Sequence, residues 1–465
     1  MENSPRRRRP RPRRRNPIVN ILIAAIVILS VADISVISLC LRSGKEKPAR
    51  EPGSSLAQTN SREESTTPQE TEPLPPAPES TATILSTGDL LMHKKVINTG
   101  KQEDGSYNFD SIFQYIRSYV QQADYAVANL ETTLCGTDKG YAYSGNPLFN
   151  CPDAIVDSAK ASGFDLLLTA NNHCADTGLV GYQRTLEVVR SKGVQTLGTY
   201  LSADEQKWVI VPVNGIQIGM MCYTYSEGFE KSGNPTLNYH EGPESGMLNY
   251  FHYNDLPTFY SKIQTSLEQM RDAGAEATIL YIHWGEEYKT SPNSDQTSMA
   301  QKLCDLGVDV IIGGHPHVLQ PLDLLQSTQN PDHQTLVLYS LGNAVSNQRK
   351  EELANTMPTG ETEDGCLYSV TFAKYPDGGV HVDSVTLIPT WVNMHANNGT
   401  TQYPILPLEL DKMDSWQASF GLTDSQLLQA RSSYNRTQQI VGQSLQSIQS
   451  ALLEQKQARE SIPAA

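Results

Sequence analysis

The chain has 465 residues, 38 % of them hydrophobic, and a formal net charge of −15 at pH 7. The first 50 residues hold 12 Lys and Arg against 3 Asp and Glu, whereas the other 415 hold 24 against 48. An acidic body of this kind argues against nucleic-acid binding by nonspecific attraction to phosphate. It also repels polyanionic substrates unless bound cations reverse the local field.

The N-terminal segment predicts a membrane anchor. Residues 1–17 form a basic tail, and residues 18–41 form an apolar run whose one charge is Asp33. A run of about 20 apolar residues spans a bilayer, and arginine-rich flanks stay cytoplasmic. We therefore expect a single-pass protein of the cell membrane with a cytoplasmic N-terminus and an extracytoplasmic body. A cleaved signal peptide is the alternative, although its apolar region is usually only about 7–15 residues long.

The rest of the chain divides into three further parts. Residues 42–81 are rich in Glu, Pro, Ser and Thr and predict a disordered stalk. Residues 82–400 alternate strand-like and helix-like segments, which predicts a layered α/β domain. Residues 401–465 predict a C-terminal extension with a long helix from Thr423 to about residue 457, packed on the body or on a partner. The predicted helices of the body cover 110–122, 153–162, 178–191, 257–273 and 295–306.

Two predicted strand pairs do not alternate with helices. Residues 207–223 form a hairpin around Asn214-Gly215, the strongest short hairpin signal. Residues 366–374 and 379–388 form another pair. Both pairs predict antiparallel additions to the sheets.

Six short apolar runs each lead directly into polar residues that can bind metals. A short apolar run is typical of a buried strand, and residues that follow such strands share one edge of a sheet. The six runs therefore predict one convergent site, rich in imidazole, carboxylate and amide groups. The runs cover 83–87, 125–128, 166–170, 279–282, 310–312 and 337–341.

The polar residues after these runs suit divalent cations, which take carboxylate oxygen, amide oxygen and neutral imidazole nitrogen. In an extended loop, alternate residues point the same way, so His315 and His317 are expected to reach one site together. A carboxylate that touches two cations can hold them about 3.5–4 Å apart. We expect two divalent ions, with Mn, Fe or Zn favoured over Mg. The predicted ligands are Asp89, Glu131, Asn172, His283, His315 and His317.

A catalytic pair is predicted beside these ligands. His173 directly follows Asn172 and could act as a general acid, oriented by Asp176 three residues later. A capping pair at a helix start is the alternative.

The sequence leaves a pairing of Cys135 with Cys151 open. These cysteines flank a loop, and an exported location permits a disulfide between them. The alternative is two unpaired, partly buried thiols.

The strand ends carry six short motifs, namely Gly88-Asp89, Asn129-Leu130-Glu131, Asn171-Asn172-His173, His283-Trp284-Gly285, Gly314-His315-Pro316-His317 and Leu341-Gly342-Asn343. This set of motifs resembles the CapA family of capsule-synthesis proteins. The resemblance implies a four-layer α/β/β/α sandwich, similar to calcineurin-like metallophosphatases, with a dinuclear site between the sheets. It also implies that Glu131 bridges the metals and that His173 is catalytic. We further expect Asn129, Asn171 and Asn343 to bind substrate.

The sequence departs from the metallophosphatase pattern at two positions. Leu91 stands where those enzymes usually carry a histidine, so His93 is left open as a substitute ligand. Glu131 stands where they carry aspartate. Both departures count against simple phosphatase activity.

Three functions fit the sequence. The first, which the resemblance implies, is an anchored metalloprotein in poly-γ-glutamate capsule synthesis or export. It would process, cut or guide this anionic polymer beside membrane-bound capsule machinery. The second is an extracellular metal-dependent phosphoesterase. The third is a non-catalytic scaffold of a surface polymer assembly. No nucleic-acid partner is expected.

Overall fold

The computed structural model describes residues 77–229, 232–397 and 399–461. The predicted basic tail, the predicted anchor and residues 42–76 of the predicted stalk lie outside these ranges. Within the described ranges, no helix combines the length and the apolar character needed to cross a membrane.

The described chain contains twenty strands. They are β1 (Ser80–Leu90), β2 (Tyr125–Asn129), β3 (Leu166–Leu168), β4 (Gln195–Leu197), β5 (Val209–Val213), β6 (Ile216–Tyr225), β7 (Gly228–Phe229), β8 (Pro235–Leu237), β9 (His240–Glu241), β10 (Tyr250–Phe251), β11 (Ala277–His283), β12 (Val310–Gly314), β13 (Leu322–Gln326), β14 (Gln334–Leu338), β15 (Asn343–Val345), β16 (Asp364–Lys374), β17 (Val380–Val392), β18 (His395–Asn397), β19 (Thr400–Gln402) and β20 (Ile405–Pro407).

Two mixed sheets form the frame of the fold. The first has the strand order β20-β17-β16-β1-β2-β3-β4, with β15 paired to β1. The second has the order β10-β6-β11-β12-β14-β13, with β5 paired to β6. In each sheet the central strands run parallel, and antiparallel strands are added at the sides. The predicted α/β class is confirmed at this level.

The helices α1 to α7 lie between strands of the two sheets, and α8 to α10 follow the last strand. They are α1 (Lys94–Thr99), α2 (Asp110–Phe113), α3 (Arg117–Gln122), α4 (Ala154–Ser162), α5 (Gly178–Ser191), α6 (Leu256–Asp272), α7 (Ser294–Leu306), α8 (Trp416–Phe420), α9 (Asp424–Thr437) and α10 (Gln443–Glu460). The predicted helix over 110–122 is divided into α2 and α3, and the other four body helices are confirmed to within two residues.

Three apolar clusters separate the layers, because successive strand side chains point to opposite faces of a sheet. Ile84 of β1 and Ile279 of β11 pack in a cluster between the two sheets. Leu85 of β1 packs outward with residues of α2 and α4, whereas Leu280 of β11 packs outward with residues of α6 and α7. The described body therefore has a helix, a sheet, a second sheet and a helix layer in succession.

The C-terminal helices pack on this body. A π-helical segment, Gln438–Gly442, joins α9 to α10. Val441, Ile448 and Leu452 belong to the cluster between the sheets, and α10 contacts β17 of the first sheet and β13 of the second. In addition, β20 pairs with β17, so the sheet continues beyond the predicted domain boundary at residue 400.

A close backbone approach fixes the position of Asp89. The amide of Asp89 donates a hydrogen bond to the carbonyl of Gly342 at 3.1 Å. A Cβ atom added to Gly88 would lie 1.8 Å from that carbonyl oxygen. We expect Gly88→Ala to lower the free energy of unfolding by about 1–3 kcal/mol, because the strands must separate to admit the methyl group. Urea unfolding measures this change.

Gly228→Ala is the matched control for that variant. The nearest atom to a Cβ added at Gly228 is Thr236 Oγ1, at 4.0 Å. We expect its free energy of unfolding to stay within about 0.5 kcal/mol of the parent value. Equal unfolding midpoints for Gly88→Ala and the parent chain would contradict the close approach.

Candidate metal centre

The predicted metal ligands lie at the carboxyl ends of parallel strands in both sheets. The first sheet supplies three of them, from the ends of β1, β2 and β3, and the second sheet supplies the others, from β11 and the loop after β12. Because carboxyl ends of parallel strands share one edge, residues distant in the sequence come together there. All six side chains are buried, namely Asp89, Glu131, Asn172, His283, His315 and His317.

Short polar contacts join these side chains. One ligand atom from each of Asp89, Glu131 and His283 lies within 4.8 Å of the others. His283 Nε2 lies 2.9 Å from Asn172 Oδ1 and 3.4 Å from Glu131 Oε1. On the other side of the site, His317 Nδ1 lies 3.1 Å from Asp89 Oδ2. The ring centroid of His315 lies 4.9 Å from that of His283. The side chains therefore form one group.

Within the described ranges, two buried atoms of this group have no hydrogen-bond partner. They are Oε1 of Glu131, which is fully buried, and Nδ1 of His315. A buried polar atom without a partner costs free energy, and both atoms are of the type that binds divalent cations. The residues present therefore fit a metal site, because a bound cation would supply the partner that each atom lacks.

The ionisation of the group also suits a cation. Burial opposes ionisation of Asp89, but its hydrogen bond to His317 and the charge of His317 outweigh burial and lower the pKa of Asp89. Burial, together with the neighbouring His283, lowers the pKa of His315 well below its ordinary value. His315 is therefore neutral, which is the form that binds metals.

The pKa of His317 is shifted in the opposite direction. Burial opposes its charged form, but Glu131 and Asp89 outweigh burial and raise the pKa of His317 to about 9. A protonated ring nitrogen cannot bind a cation, so a cation held by His317 would have to displace a proton from the ring.

The loop after β12 does not have the predicted extended form. His315 has φ of 96° and His317 has φ of 58°, so both residues adopt left-handed backbone conformations that side chains other than glycine rarely take. The alternation argument for this loop is therefore wrong. The two rings nevertheless lie 6.1 Å apart between centroids, because two left-handed turns, rather than an extended strand, bring them together. Backbone strain of this kind is concentrated at functional sites.

The three predicted substrate-binding amides are bonded to the other site residues. Asn129 Nδ2 donates to Asp89 Oδ1 at 2.7 Å, and Asn171 Nδ2 donates to Asn129 Oδ1 at 3.1 Å. Asn343 Nδ2 donates to the carbonyl of His317 at 3.2 Å, and Asn343 Oδ1 lies 3.1 Å from His317 Nδ1. These contacts hold the ligand side chains in position, and binding of substrate by the amides stays a prediction.

His173 and Asp176 form the predicted pair. His173 Nδ1 lies 2.8 Å from Asp176 Oδ2, which also accepts a hydrogen bond from the amide of Phe149 at 2.7 Å. Burial opposes a positive charge on His173, but the bond to Asp176 outweighs it and raises the pKa of His173. The next helix, α5, is capped at Thr177 without a side-chain bond, so Asp176 orients His173 and does not cap the helix.

Two further residues reach the site without having been predicted. Asn238 Nδ2 donates to Asp176 Oδ1 at 3.0 Å, from a three-stranded sheet made of β7, β8 and β9. The ring of Tyr225 lies 4.8 Å from that of His315 and is stacked on that of His283 at 6.4 Å. Tyr225 ends β6, a strand parallel to β11, and its place at a strand end was the available signal. Asn238 lies in a polar loop that carries no such signal.

His93 lies beside the site but outside the closest group of ligands. Its Nδ1 accepts a hydrogen bond from the amide of Asn347 at 3.2 Å and lies 3.2 Å from the carbonyl of Leu91. Its ring packs edge-on against Phe149, which packs in the same way against His173. Burial lowers the pKa of His93 to about 4. These contacts engage Nδ1, and the role of His93 as a ligand stays open.

Cys135 and Cys151 are both free and buried, so the disulfide is not formed and the unpaired alternative describes the structure. Cys151 packs in the apolar cluster under the helices of the first sheet. The Cβ atom of Cys135 instead faces Gly181 of α5, at 3.1 Å from the position of a Cβ added there.

Two curated proteins match the chain over the segment that carries these residues. The capsule biosynthesis protein CapA of Bacillus anthracis is 28 % identical over 269 residues, which cover 57 % of this chain and 60 % of that protein. The PGA biosynthesis protein CapA of Bacillus subtilis strain 168 is 28 % identical over 266 residues, which cover 56 % of this chain and 62 % of that protein. The chain thus matches about three fifths of the length of each relative.

Two solved structures also match. Sulfate thiohydrolase SoxB of Thermus thermophilus in complex with glycerol matches with a TM-score of 0.36 and 15 % identity, over 72 % of this chain and 58 % of that one. The protein TT1561 of Thermus thermophilus matches with a TM-score of 0.31 and 8 % identity, over 62 % of this chain and 94 % of that one.

A family model matches residues 83–348, which contain all the predicted ligands and the His173–Asp176 pair. The model describes the bacterial capsule synthesis protein PGA_cap. The match covers more than half of the 465 residues. The chain therefore belongs to the PGA_cap family of bacterial capsule synthesis proteins.

Proposed function

We propose that the chain is a membrane-anchored, extracytoplasmic metalloprotein that acts on poly-γ-glutamate during capsule biosynthesis or export. Support for the polymer comes from the family and from the names of the two curated relatives. Support for the anchor comes from the sequence of residues 18–41 alone. The proposed fold is of the metallophosphatase type, with a site for two divalent ions at the carboxyl ends of the strands.

The unpartnered oxygen of Glu131 carries this proposal. A carboxylate that is fully buried and leaves one oxygen without a hydrogen bond is costly to a fold unless a cation compensates it. Asp89, Glu131, Asn172, His283, His315 and His317 would hold the ions. Nitrogen and oxygen ligands of this kind fit Mn, Fe or Zn better than Mg. When bound, such ions would act as Lewis acids on the reacting group.

The chain itself supplies the proton that the leaving group needs. Because Asp176 accepts a hydrogen bond from Nδ1 of His173, the second ring nitrogen, Nε2, is the one that faces away from this carboxylate. With its pKa raised, His173 holds a proton that it can give to a leaving group. Asn238 bonds the other oxygen of Asp176, so the carboxylate that orients His173 is itself fixed. We propose hydrolysis of the polymer backbone as the reaction.

The test uses the purified full-length chain, loaded in turn with Mn, Fe or Zn. We expect metal-dependent shortening of poly-γ-glutamate, measured by gel electrophoresis. We further expect His173→Ala to lower the rate at least about hundredfold, since general acid catalysis contributes 10²–10⁴-fold. His240→Ala is the matched control, because His240 is exposed on β9 and should leave the rate unchanged.

Other experimental results would support a different function or location. Turnover of a chromogenic phosphodiester without shortening of the polymer would identify a phosphoesterase. If neither substrate reacts and cells that carry His173→Ala still make normal capsule, the fold serves as a scaffold. A reporter fused after residue 461 that is active only in the cytoplasm would overturn the extracytoplasmic location.

A further inference from the structure

A cavity of about 410 Å³ lies on the outer side of the second sheet, beside α6. It shares no lining residue with the predicted metal ligands. Its lining includes Tyr223, whose side chain belongs to the outer apolar cluster. The neighbouring residue, Thr224, pairs in register with His283, so the cavity lies near the same end of the sheet as the metal centre. Two lysines and several donors line it, among them Lys207, Lys262, Ser245, Ser261, Thr265 and Gln269.

The cavity has the opposite charge to most of the body. None of the described residues that line it is Asp or Glu, although the whole chain has 51 acidic residues against 36 basic ones. Two other cavities, beside Asp309 on the same sheet, are each lined by three acidic residues. A positive cavity on a negative body is a local site of attraction for anions.

The two ammonium groups are placed by aromatic rings and are not neutralised. Lys207 Nζ lies 4.2 Å from the ring centroid of Tyr200, and Lys262 Nζ lies 4.9 Å from that of Tyr250. Lys207 also donates a hydrogen bond to the carbonyl of Gly246. Within the described ranges, neither lysine has a carboxylate within the ion-pair distance of 4.0 Å. An ammonium has three donors, so both groups keep donors for a ligand.

The acidic residues near these lysines are engaged elsewhere or act at longer range. Asp204 and Glu205 act on Lys207, and Asp255 acts on Lys262. However, Glu205 forms an ion pair with Arg190 at 2.9 Å, and Asp255 caps α6. Partial burial outweighs these charges and lowers the pKa of both lysines. An anionic ligand would restore the charge balance of the cavity.

We propose that this cavity binds carboxylate groups of poly-γ-glutamate and thereby holds the polymer against an otherwise acidic body. The inference rests on the proposed function and assigns it a polymer-binding site separate from the metal centre. The two lysines bind carboxylates, and the hydroxyl and amide groups of Ser245, Ser261, Thr265 and Gln269 donate further hydrogen bonds. The site needs no metal.

The test measures binding of fluorescein-labelled poly-γ-glutamate to the full-length chain by fluorescence anisotropy, with a chelator present and at low salt. We expect the double variant Lys207→Met and Lys262→Met to bind about tenfold more weakly, which corresponds to about 1.4 kcal/mol. Methionine keeps the apolar stem that packs on each tyrosine. Because Lys262 makes no hydrogen bond within the described structure, Lys262→Met alone should weaken binding without affecting folding.

Two variants serve as controls. Lys262→Arg keeps the charge and should bind as the parent does. Lys302→Met makes the same charge change on α7, where Lys302 is exposed, and should leave binding unchanged. Binding should also weaken as salt is added, because salt screens the attraction.

Three results would overturn the inference. They are no binding by the parent chain, equal binding by the double variant, and equal competition by polyphosphate, which would exclude selection of carboxylates. The two proposals fail separately. Binding that persists without any metal-dependent shortening contradicts only the hydrolytic function, whereas shortening that is unaffected by the double variant at low polymer concentration contradicts only the cavity.

Discussion

Glu131→Gln is expected to remove the bound metal from the purified chain. The substitution keeps the shape of the side chain but removes its charge. In the structure, Oε1 of Glu131 has no hydrogen-bond partner and lies 3.4 Å from Nε2 of His283. Substitution of residues that merely support metal ligands costs 10–100-fold in metal affinity, so loss of a direct carboxylate ligand should cost at least about 100-fold.

Elemental analysis after dialysis against buffer measures this effect. Glu352→Gln is the matched control, because Glu352 is a half-exposed carboxylate that pairs with Lys95 at the surface. We expect the control to retain the metal content of the parent chain. Asn172→Ala should also lower metal content, since Asn172 Oδ1 lies 2.9 Å from His283 Nε2. Full occupancy in Glu131→Gln would contradict the proposed ligand set.

Arg436→Met is expected to destabilise the fold strongly. Arg436 lies on α9, and its guanidinium donates two hydrogen bonds of 2.7 Å to the carboxylate of Asp364 on β16. Asp364 is 1 % exposed. Removal of one partner of a buried ion pair leaves the other charge without compensation, which costs about 3–5 kcal/mol. The free energy of unfolding in urea measures the loss.

The loss of stability caused by Arg436→Met should increase as pH rises. Burial outweighs Arg436 and raises the pKa of Asp364 to about 7, above its value of about 3.9 in an unfolded chain. A carboxyl group whose pKa is raised on folding stabilises the folded state at pH values below its pKa in the unfolded chain. This contribution to the free energy of unfolding is lost as pH rises from about 4 to about 7. Without Arg436 the pKa of Asp364 rises further, so Arg436→Met should lose more stability at pH 8 than at pH 5.

A double variant tests the cause. Arg436→Met combined with Asp364→Asn removes both charges and should recover most of the stability at pH 8, because no buried charge is left unpaired. Equal destabilisation by Arg436→Met at pH 5 and pH 8 would show that the ion pair is not responsible.

The packing of the C-terminal segment on the body limits how a scaffolding role can be tested. Deletion of residues 401–465 removes β20 from the first sheet and Val441, Ile448 and Leu452 from the core between the sheets. Each buried apolar side chain contributes about 1.5–3 kcal/mol to folding, so such a deletion unfolds the body. Loss of capsule after this deletion therefore does not distinguish scaffolding from unfolding. His173→Ala leaves the core intact and distinguishes scaffolding from catalysis.

Much of the fold and of the ligand set could be predicted because the signals are local. A buried strand needs only a short apolar run, and the polar residue that ends it follows within a few positions. For this reason Asp89, Glu131 and His283 could be assigned to strand ends that meet. The hairpin around Asn214 could be predicted for the same reason, although its second strand, β6, is also a central parallel partner of β11. No local pattern indicates that second pairing, which places Tyr225 beside the site.

The path of the chain after β14 shows where local patterns fail. The apolar run 337–341 and the following Asn343 predict one strand with a polar end. In the structure β14 ends at Leu338 in the second sheet, and the chain crosses to the first sheet, where Asn343 pairs in register with Asp89. Pairing depends on hydrogen bonds between distant segments, which a single run of residues does not record.

The sequence by itself determined the apolar strands, the helices between them and the chemical types of the predicted ligands, because these depend on neighbouring residues. Tertiary structure alone decided that, among the described residues, Glu131 Oε1 and His315 Nδ1 have no hydrogen-bond partner, and how Asn238 reaches Asp176. It also decided that the C-terminal helices complete the core and that Lys207 and Lys262 face one cavity. These features arise from side chains brought together by packing across two sheets, and separation along the chain carries no information about such distances.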